Sequence, residues 1–363
     1  MLASAAAPWG LETWILDPAI DCPAALSGGH VVAGNFKNYQ DVYDFGKQVD
    51  FITYEIESIN TEALKQLKAE GKTVRPDPEI LELIQDKQLQ KEFFHTHGIP
   101  SAPFQVFQSH LEILDGLKAG TLNYPFVQKL CKGGYDGRGV SVVHGPDELS
   151  ELLHGRSLVE SCIRIATEFS VIVARNPHGE VRSYPATDMH ILEEANMLDY
   201  LSSPSRLDGE VLEQAARISR HIAEALAYEG LLAVELFLDE QGAVWVNEIS
   251  PRPHNSGHHT IESAVTSQFE QHLRAVLDLP LGSTSLRAPS VMFNLIGEPR
   301  ADGKPEYLGL REAMATEGVH VHIYGKKQVR PYRKMGHVTV VADSLEEAVK
   351  KMHSIKPLMK VVS

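Results

Sequence analysis

The chain has 363 residues, 43% of them hydrophobic and 23% charged, which is ordinary for a globular protein long enough for two or three domains. A formal net charge of −14 argues against a general nucleic-acid or membrane-surface binder, but not against a local pocket for an anionic metabolite. Cys22, Cys131 and Cys162 are too scattered for a disulfide framework or a paired-cysteine metal site, and no apolar run approaches the roughly 20 residues of a membrane span. A reducing, cytoplasmic setting is expected.

Short apolar strands are predicted at 13–17, 30–33, 51–55 and 73–75, with helices at 39–47 and 61–70 between them. That rhythm indicates a doubly wound parallel sheet, whose ligand crevice lies at the carboxyl ends of strands, where Asp17 and Glu55 fall. Pro76-Asp77-Pro78 punctuates the chain as a linker, and one helix is expected over 80–95. Beyond Pro100 and Pro103, strands are predicted at 125–129, 141–143, 158–160, 168–174 and 181–184, and a long helix at 209–229. Strands 231–238 and 243–249 flank Asp239-Glu240-Gln241-Gly242, a hairpin signal. Pro289 opens a last segment with several short strands and a helix near 345–353.

The hairpin carries the first chemical signal. With a turn at 239–242, Glu235 is expected to face Val246, and Glu248 to share its side of the sheet one diagonal step away. A solvated glutamate pair is the plainer alternative. However, the neighbours Leu236, Val246 and Ile249 are apolar, and two close carboxylates repel unless a cation sits between them. Mg²⁺ held by carboxylates and substrate phosphates suits the pattern.

A second signal is the strand ending in Lys129, followed by four glycines within residues 133–139. Such a loop brings backbone N–H groups close to a polyphosphate, although glycine loops alone are weak evidence. Lys129 and Arg138 add groups that meet phosphate. Lys326, Lys327, Arg330, Arg333, Lys334 and His337 fall within twelve residues, held by Gly325, Pro331 and Gly336 in a fixed loop suited to an anion. His254, His258 and His259 lack the spacing and the cysteine partner of a zinc site.

These segments, together with Phe51-Ile52-Thr53-Tyr54-Glu55-Ile56-Glu57, Gln85-Asp86-Lys87 and the stretches 247–258, 289–297 and 330–337, resemble the ATP-grasp ligases. The resemblance is specifically to the 5-(carboxyamino)imidazole ribonucleotide synthases of purine biosynthesis, and it covers essentially the whole chain. It implies an α/β, ATP-grasp fold: an N-terminal doubly wound parallel-sheet domain at 1–78, an ATP-grasp domain at 79–288 and a small C-terminal domain at 289–363. The implied reaction uses ATP to activate bicarbonate as carboxyphosphate and carboxylates the amine of 5-aminoimidazole ribonucleotide.

By position, the resemblance assigns Lys87 and Lys129 to the ATP phosphates and Gly134, Tyr135, Asp136, Gly137, Arg138, Gly139 and Val140 to a closing lid. Glu160, Ser161, Cys162, Ile163 and Glu168 are assigned to adenine and ribose, with His190 nearby. Glu235 and Glu248 would bind Mg²⁺ (or Mn²⁺) beside Asn247. Tyr135, Asp136, Arg138, Arg252, His254, Asn255, Ser256, Lys326 and Arg333 would surround the ribonucleotide and bicarbonate, with Asp136, Arg138, Arg252, His254 and Arg333 acting in catalysis. A homodimer is implied, with no nucleic acid or membrane partner.

Two departures qualify the match. The family opens with a strand and a glycine-rich turn ahead of the helix that begins here at Met1, so the first strand and part of the ribonucleotide phosphate site are expected to be missing, with impaired activity. Many ATP-grasp enzymes also place an asparagine metal ligand where Ser250 stands, which leaves the third ligand open. A formate-dependent glycinamide ribonucleotide transformylase-like enzyme, sharing a turn like 250–254, and a catalytically impaired nucleotide-binding protein are the alternatives.

Overall fold

A computed structural model describes residues 1–134, 139–192 and 197–363. Near the N-terminus, Trp14–Asp17 pairs with His30–Ala33 and Phe51–Ile52 with Thr73–Val74, both in parallel. The intervening helices Tyr39–Lys47 and Thr61–Ala69 each start at an asparagine: Asn38 accepts the Asp41 N–H and Asn60 the Ala63 N–H. Their apolar faces close over Val42, Ile52, Leu64, Leu67 and Val74. A methyl at Gly46 would lie 2.3 Å from Leu67 Cδ1, so this close approach requires glycine or a shift of the leucine.

The helix expected over 80–95 is two helices, Pro78–Gln85 and Lys87–Thr96. Asp86 separates them with extended backbone (φ −111°, ψ 109°), and its carboxylate caps the second helix by accepting the Gln88 N–H. Arg156 pairs with the same buried carboxylate. Apolar spacing continues across the break, so periodicity alone reads through it. The break puts Lys87 at a helix start, where its N–H donates to Cys131 O at 2.9 Å.

Two sheets carry the rest. A four-stranded antiparallel sheet runs in the order Phe104–Phe107, Ser157–Ser161, Phe126–Leu130, Val140–Val143. A nine-stranded antiparallel sheet runs from Val244–Ser250 through Gly230–Asp239, Ile165–Arg175, Thr187–Leu192, Met197–Ser203, Ser290–Ile296 and Lys334–Val341 to Val319–Ile323, with Val181–Ser183 beside Ile165–Arg175. The last segment of the chain therefore extends the central sheet. Helix Gly209–Ala225 covers one face, setting Ala215, Ile222 and Ala223 against Phe169, Val171, Val173 and Val234. It stops four residues short of the expected 229, where the chain turns through Ala227 at φ 45°.

Strands Thr187–Leu192 and Met197–Ser203 escape the sequence reading. Both lie inside the sheet and bury polar residues, Asp188, Ser202 and Ser203, so they show no in–out alternation. Helices His110–Ala119 and Gln268–Val276 also go unpredicted, although Ser109 and Ser267 cap them and Gly120 ends the first.

His272 ties the N-terminal unit to the central sheet. It is fully buried; its Nδ1 accepts the Leu231 N–H at 3.3 Å and its Nε2 lies 2.9 Å from Thr53 Oγ1. Burial pushes its pKa down to about 3, so the folded protein holds the ring neutral while the unfolded chain protonates it near 6.5. The stability it contributes is complete above about pH 6.5 and is lost as pH falls toward 3. We expect His272→Gln to lower the pH slope of unfolding free energy between about pH 6 and 4 by up to about 1.4 kcal/mol per pH unit. Denaturant titrations across that range measure it; an unchanged slope would show that His272 does not take up a proton on unfolding.

Candidate active site

The hairpin sets the centre of the site. Asp239 opposes Ala243 and its carboxylate accepts the N–H groups of Gln241 and Ala243 and of the Trp245 indole, while Gly242 takes φ 83°. Leu238 then pairs with Val244 and Leu236 with Val246, but the register slips by one residue before Glu235, which stands directly opposite Glu248. The extra residue, Asn247, forms a β-bulge. The expected pairing of Glu235 with Val246 is thus corrected twice: the ladder pairs Leu236 with Val246, which by itself would set Asn247 opposite Glu235, and the bulge then brings Glu248 directly opposite Glu235. Their neighbour Glu168, paired with Phe237 on the adjoining strand, shares the same face.

Basic side chains converge on this face from other elements. Lys87 Nζ lies 2.5 Å from Glu248 Oε2, and His254 Nε2 lies 3.3 Å from Glu235 Oε1. Lys129 reaches across from the four-stranded sheet and donates to Asn247 Oδ1 at 2.9 Å. The bulge therefore presents both an amide to one lysine and a carboxylate to the other. Lys87 holds Glu248 below the usual carboxylate range; burial first, and then Glu248 and Glu168, push Glu235 up. Two facing carboxylates share one stabilised charge, and the second is the group that gains most from a further cation.

Glu160 joins the four-stranded sheet to helix Lys87–Thr96 electrostatically. It opposes Val127, on the same side of its sheet as Lys129, and its oxygens meet Lys91 at 2.6 Å and Lys129 at 2.8 Å. Burial alone would raise its pKa, yet the two lysines hold it below the ordinary range.

The turn after the hairpin is fixed by buried polar contacts. Gln268 accepts the His254 N–H, donates to His254 O at 2.7 Å and contacts His258 Nδ1 at 2.8 Å. Its side chain fills the space beside Gly257, where a Cβ would lie 2.4 Å from Gln268 Oε1. His254 Nδ1 meets Ser256 Oγ at 2.9 Å, which leaves Nε2 aimed at Glu235. Arg252 pairs with Glu57 at 2.8 Å, closing the N-terminal unit onto the site. His258 and His259 are buried and held neutral by desolvation, a packing role.

The structure thus brings Lys87, Lys129, Glu160, Glu168, Glu235, Asn247, Glu248, Arg252, His254 and Ser256 into one region, with Asn255 in the same turn. Ser161 ends the strand of Glu160 and Cys162 and Ile163 follow it; of the expected lid, Gly134, Gly139 and Val140 are described, and Tyr135, Asp136, Gly137 and Arg138 lie outside the described residues. His190 is not brought to the carboxylates. Met189 pairs with Glu168, so strand alternation turns His190 to the opposite face, where it stacks on Tyr200 at 4.1 Å.

In the basic loop, Lys326 donates to Lys334 O at 2.6 Å and Arg333 to Gln328 O at 2.6 Å. Gly297 and Arg330–Arg333 lock together so tightly that a Cβ at Gly297 would lie 2.1 Å from Arg330 O. Lys91 and Gln268 were not singled out from sequence; Glu57 and Lys334, the latter opposing the raised pKa of Glu235 by its charge, were named only as members of the 51–57 and 326–337 stretches. Lys91 was readable as the residue four positions after Lys87, on the same side of its helix.

Comparison with known proteins places the chain in a family. Residues 1–85 match the ribonucleotide synthetase preATP-grasp domain, 92–269 the ATP-grasp domain and 290–351 the phosphoribosylaminoimidazole carboxylase C-terminal domain. The N5-carboxyaminoimidazole ribonucleotide synthase of Bacillus subtilis is 33% identical over 358 residues, 97% of this chain and 91% of that protein. Some relatives are longer: the chain spans 62% of the chloroplastic phosphoribosylaminoimidazole carboxylase of Vigna aconitifolia, at 34% identity over 95% of this chain. The N5-carboxyaminoimidazole ribonucleotide synthetase of Thermotoga maritima superposes with TM-score 0.91 at 40% identity, covering 100% of this chain and 97% of that one. The Aspergillus clavatus synthase, solved with ADP and 5-aminoimidazole ribonucleotide, gives 0.90 at 30% identity, covering 99% and 94%. With this identity over nearly its full length, the chain belongs to the N5-carboxyaminoimidazole ribonucleotide synthase family of ATP-grasp ligases.

Proposed function

We propose that the chain is an ATP-dependent ligase that carboxylates the amine of 5-aminoimidazole ribonucleotide in purine biosynthesis, with bicarbonate as the carbon source and Mg²⁺ (or Mn²⁺) at the paired glutamates, as a cytoplasmic homodimer. The observation that carries it is the direct opposition of Glu235 and Glu248 beneath Lys87 and Lys129. Among the described residues no three histidines, cysteines or carboxylates converge as a metal cage. Two carboxylates alone fit a hard cation that takes its remaining ligands from phosphate oxygens and water. Bound there, the cation would offset charge on the transferring phosphoryl group.

The chain's own residues supply positioning and charge. Lys87 and Lys129, which contact Glu248, Asn247 and Glu160, are placed to exchange those partners for the phosphates of ATP. His254 and Arg252, anchored by Gln268, Ser256 and Glu57, hold bicarbonate so that its oxygen attacks the γ-phosphorus and ADP leaves. The carboxyphosphate so formed passes its carboxyl group to the substrate amine, directly or as carbon dioxide, and inorganic phosphate departs. A closed lid keeps water from the labile intermediate.

The test is ADP release with ATP, bicarbonate and aminoimidazole ribonucleotide, each omitted in turn. Formate in place of bicarbonate would point to the transformylase-type reaction, and ATP binding without turnover to an impaired nucleotide-binding protein. We expect Glu248→Gln to abolish Mg²⁺-dependent turnover in a folded protein; near-normal kcat at saturating Mg²⁺ would defeat the metal assignment.

Lys129→Ala should chiefly raise the KM for ATP and Arg333→Ala the KM for the ribonucleotide. A charge-assisted phosphate contact is worth about 1.5–3 kcal/mol, so each rise should be roughly ten- to a hundredfold. If both variants moved only the ATP KM, the basic loop would serve a different site.

A further inference from the structure

Lys91 is one of the most deeply buried charges in the chain, 3% exposed, and the mechanism above makes no use of it. It stands one helical turn beyond Lys87, stacked over its own helix's Phe94 ring, and meets Glu160 Oε1 at 2.6 Å. A buried ammonium is costly to desolvate, and burial, with Lys129 and Lys87 nearby, drags its pKa down to about 8 in spite of Glu160. The chain places it there although Glu160 already has a partner, since Lys129 lies 2.8 Å from Oε2.

The charge balance of this triad is uneven: two ammonium groups share one carboxylate. Remove Lys91, and Glu160 and Lys129 become a closed, neutral, buried ion pair. Lys129 would then meet an incoming polyanion only by breaking that pair and leaving Glu160 uncompensated. With Lys91 in place, Glu160 stays neutralised when Lys129 turns toward another acceptor; Lys129 already bonds a second acceptor, Asn247 Oδ1 at 2.9 Å, while it still pairs with Glu160 at 2.8 Å.

We infer that Lys91 is a positioning residue for the nucleotide, which occupies one oxygen of Glu160 and so keeps the charge of Lys129 available to a triphosphate. This rests on the reading of the site as an ATP site. Lys91 touches no reacting atom; it acts through Glu160.

A double-mutant cycle on the full chain tests it, with Lys91→Met and Glu160→Gln made singly and together and binding of a non-hydrolysable ATP analogue measured by calorimetry. Lys91→Met should weaken the analogue about tenfold or more and raise the ATP KM more than it lowers kcat. In the Glu160→Gln background the same change should have little further effect, because the carboxylate that captures Lys129 is gone. An equal loss in both backgrounds would mean a merely structural role and overturn the inference, as would unchanged affinity in Lys91→Met. If Lys91→Met fails to fold by thermal melting, Lys91→Gln is carried through the same cycle. Should the wild-type protein itself not bind the analogue, the ATP-site reading fails; binding that ignores Lys91 sinks only this inference.

Discussion

Glu235 and Glu248 face each other across one rung of an antiparallel ladder, and two carboxylates at that spacing repel unless a proton or positive charge comes between them. Much of the surrounding structure answers that requirement. The helix break at Asp86 sets Lys87 against Glu248, and the bulge at Asn247 turns an amide toward Lys129. Gln268 holds the following turn so that His254 looks at Glu235. The same electrostatic tension makes the pair a receptor for a cation and its anionic partner.

Three parts of the chain must meet for the site to exist. The central sheet supplies the carboxylates, the smaller four-stranded sheet supplies Lys129 and Glu160, and the N-terminal unit supplies Glu57 to Arg252. Polar contacts cross between these parts at the site: Lys129 to Asn247, Arg252 to Glu57, Thr53 to His272. Ion pairs and hydrogen bonds of this kind exchange partners at little net cost when a charged ligand offers better ones. The rigid work is left to apolar packing away from the site, in the cluster of Phe169, Val171 and Val234 beneath Gly209–Ala225 and in the C-terminal strands that lengthen the same sheet.

The parallel strands near the N-terminus and the long hairpin were legible because their signals are local. Apolar runs bounded by turn residues mark Trp14–Asp17 and His30–Ala33, and the stretch from Asp239 to Gly242 announces a reversal by side-chain chemistry within a few residues. Strands Thr187–Leu192 and Met197–Ser203 were not legible. Their faces are both covered by tertiary neighbours, which erases the alternation that marks a strand in sequence. The break at Asp86 was hidden because apolar periodicity continues on either side of it.

By itself the sequence determined which residue types gather at the site: lysines ending or preceding defined elements, a glutamate on each arm of a hairpin, and a rigid turn rich in proline and histidine. Resemblance to a family added the names of their ligands. Only the tertiary structure decided the pairing. The one-residue bulge that sets Glu235 opposite Glu248 depends on how two strands register over many rungs, and the third lysine at Glu160 depends on a helix crossing a second sheet. The side-chain period of a strand is two, so a slip of one residue changes which groups meet while leaving the local sequence pattern intact. For the same reason His190, close to Glu168 in the ladder, turns to the other face of the sheet.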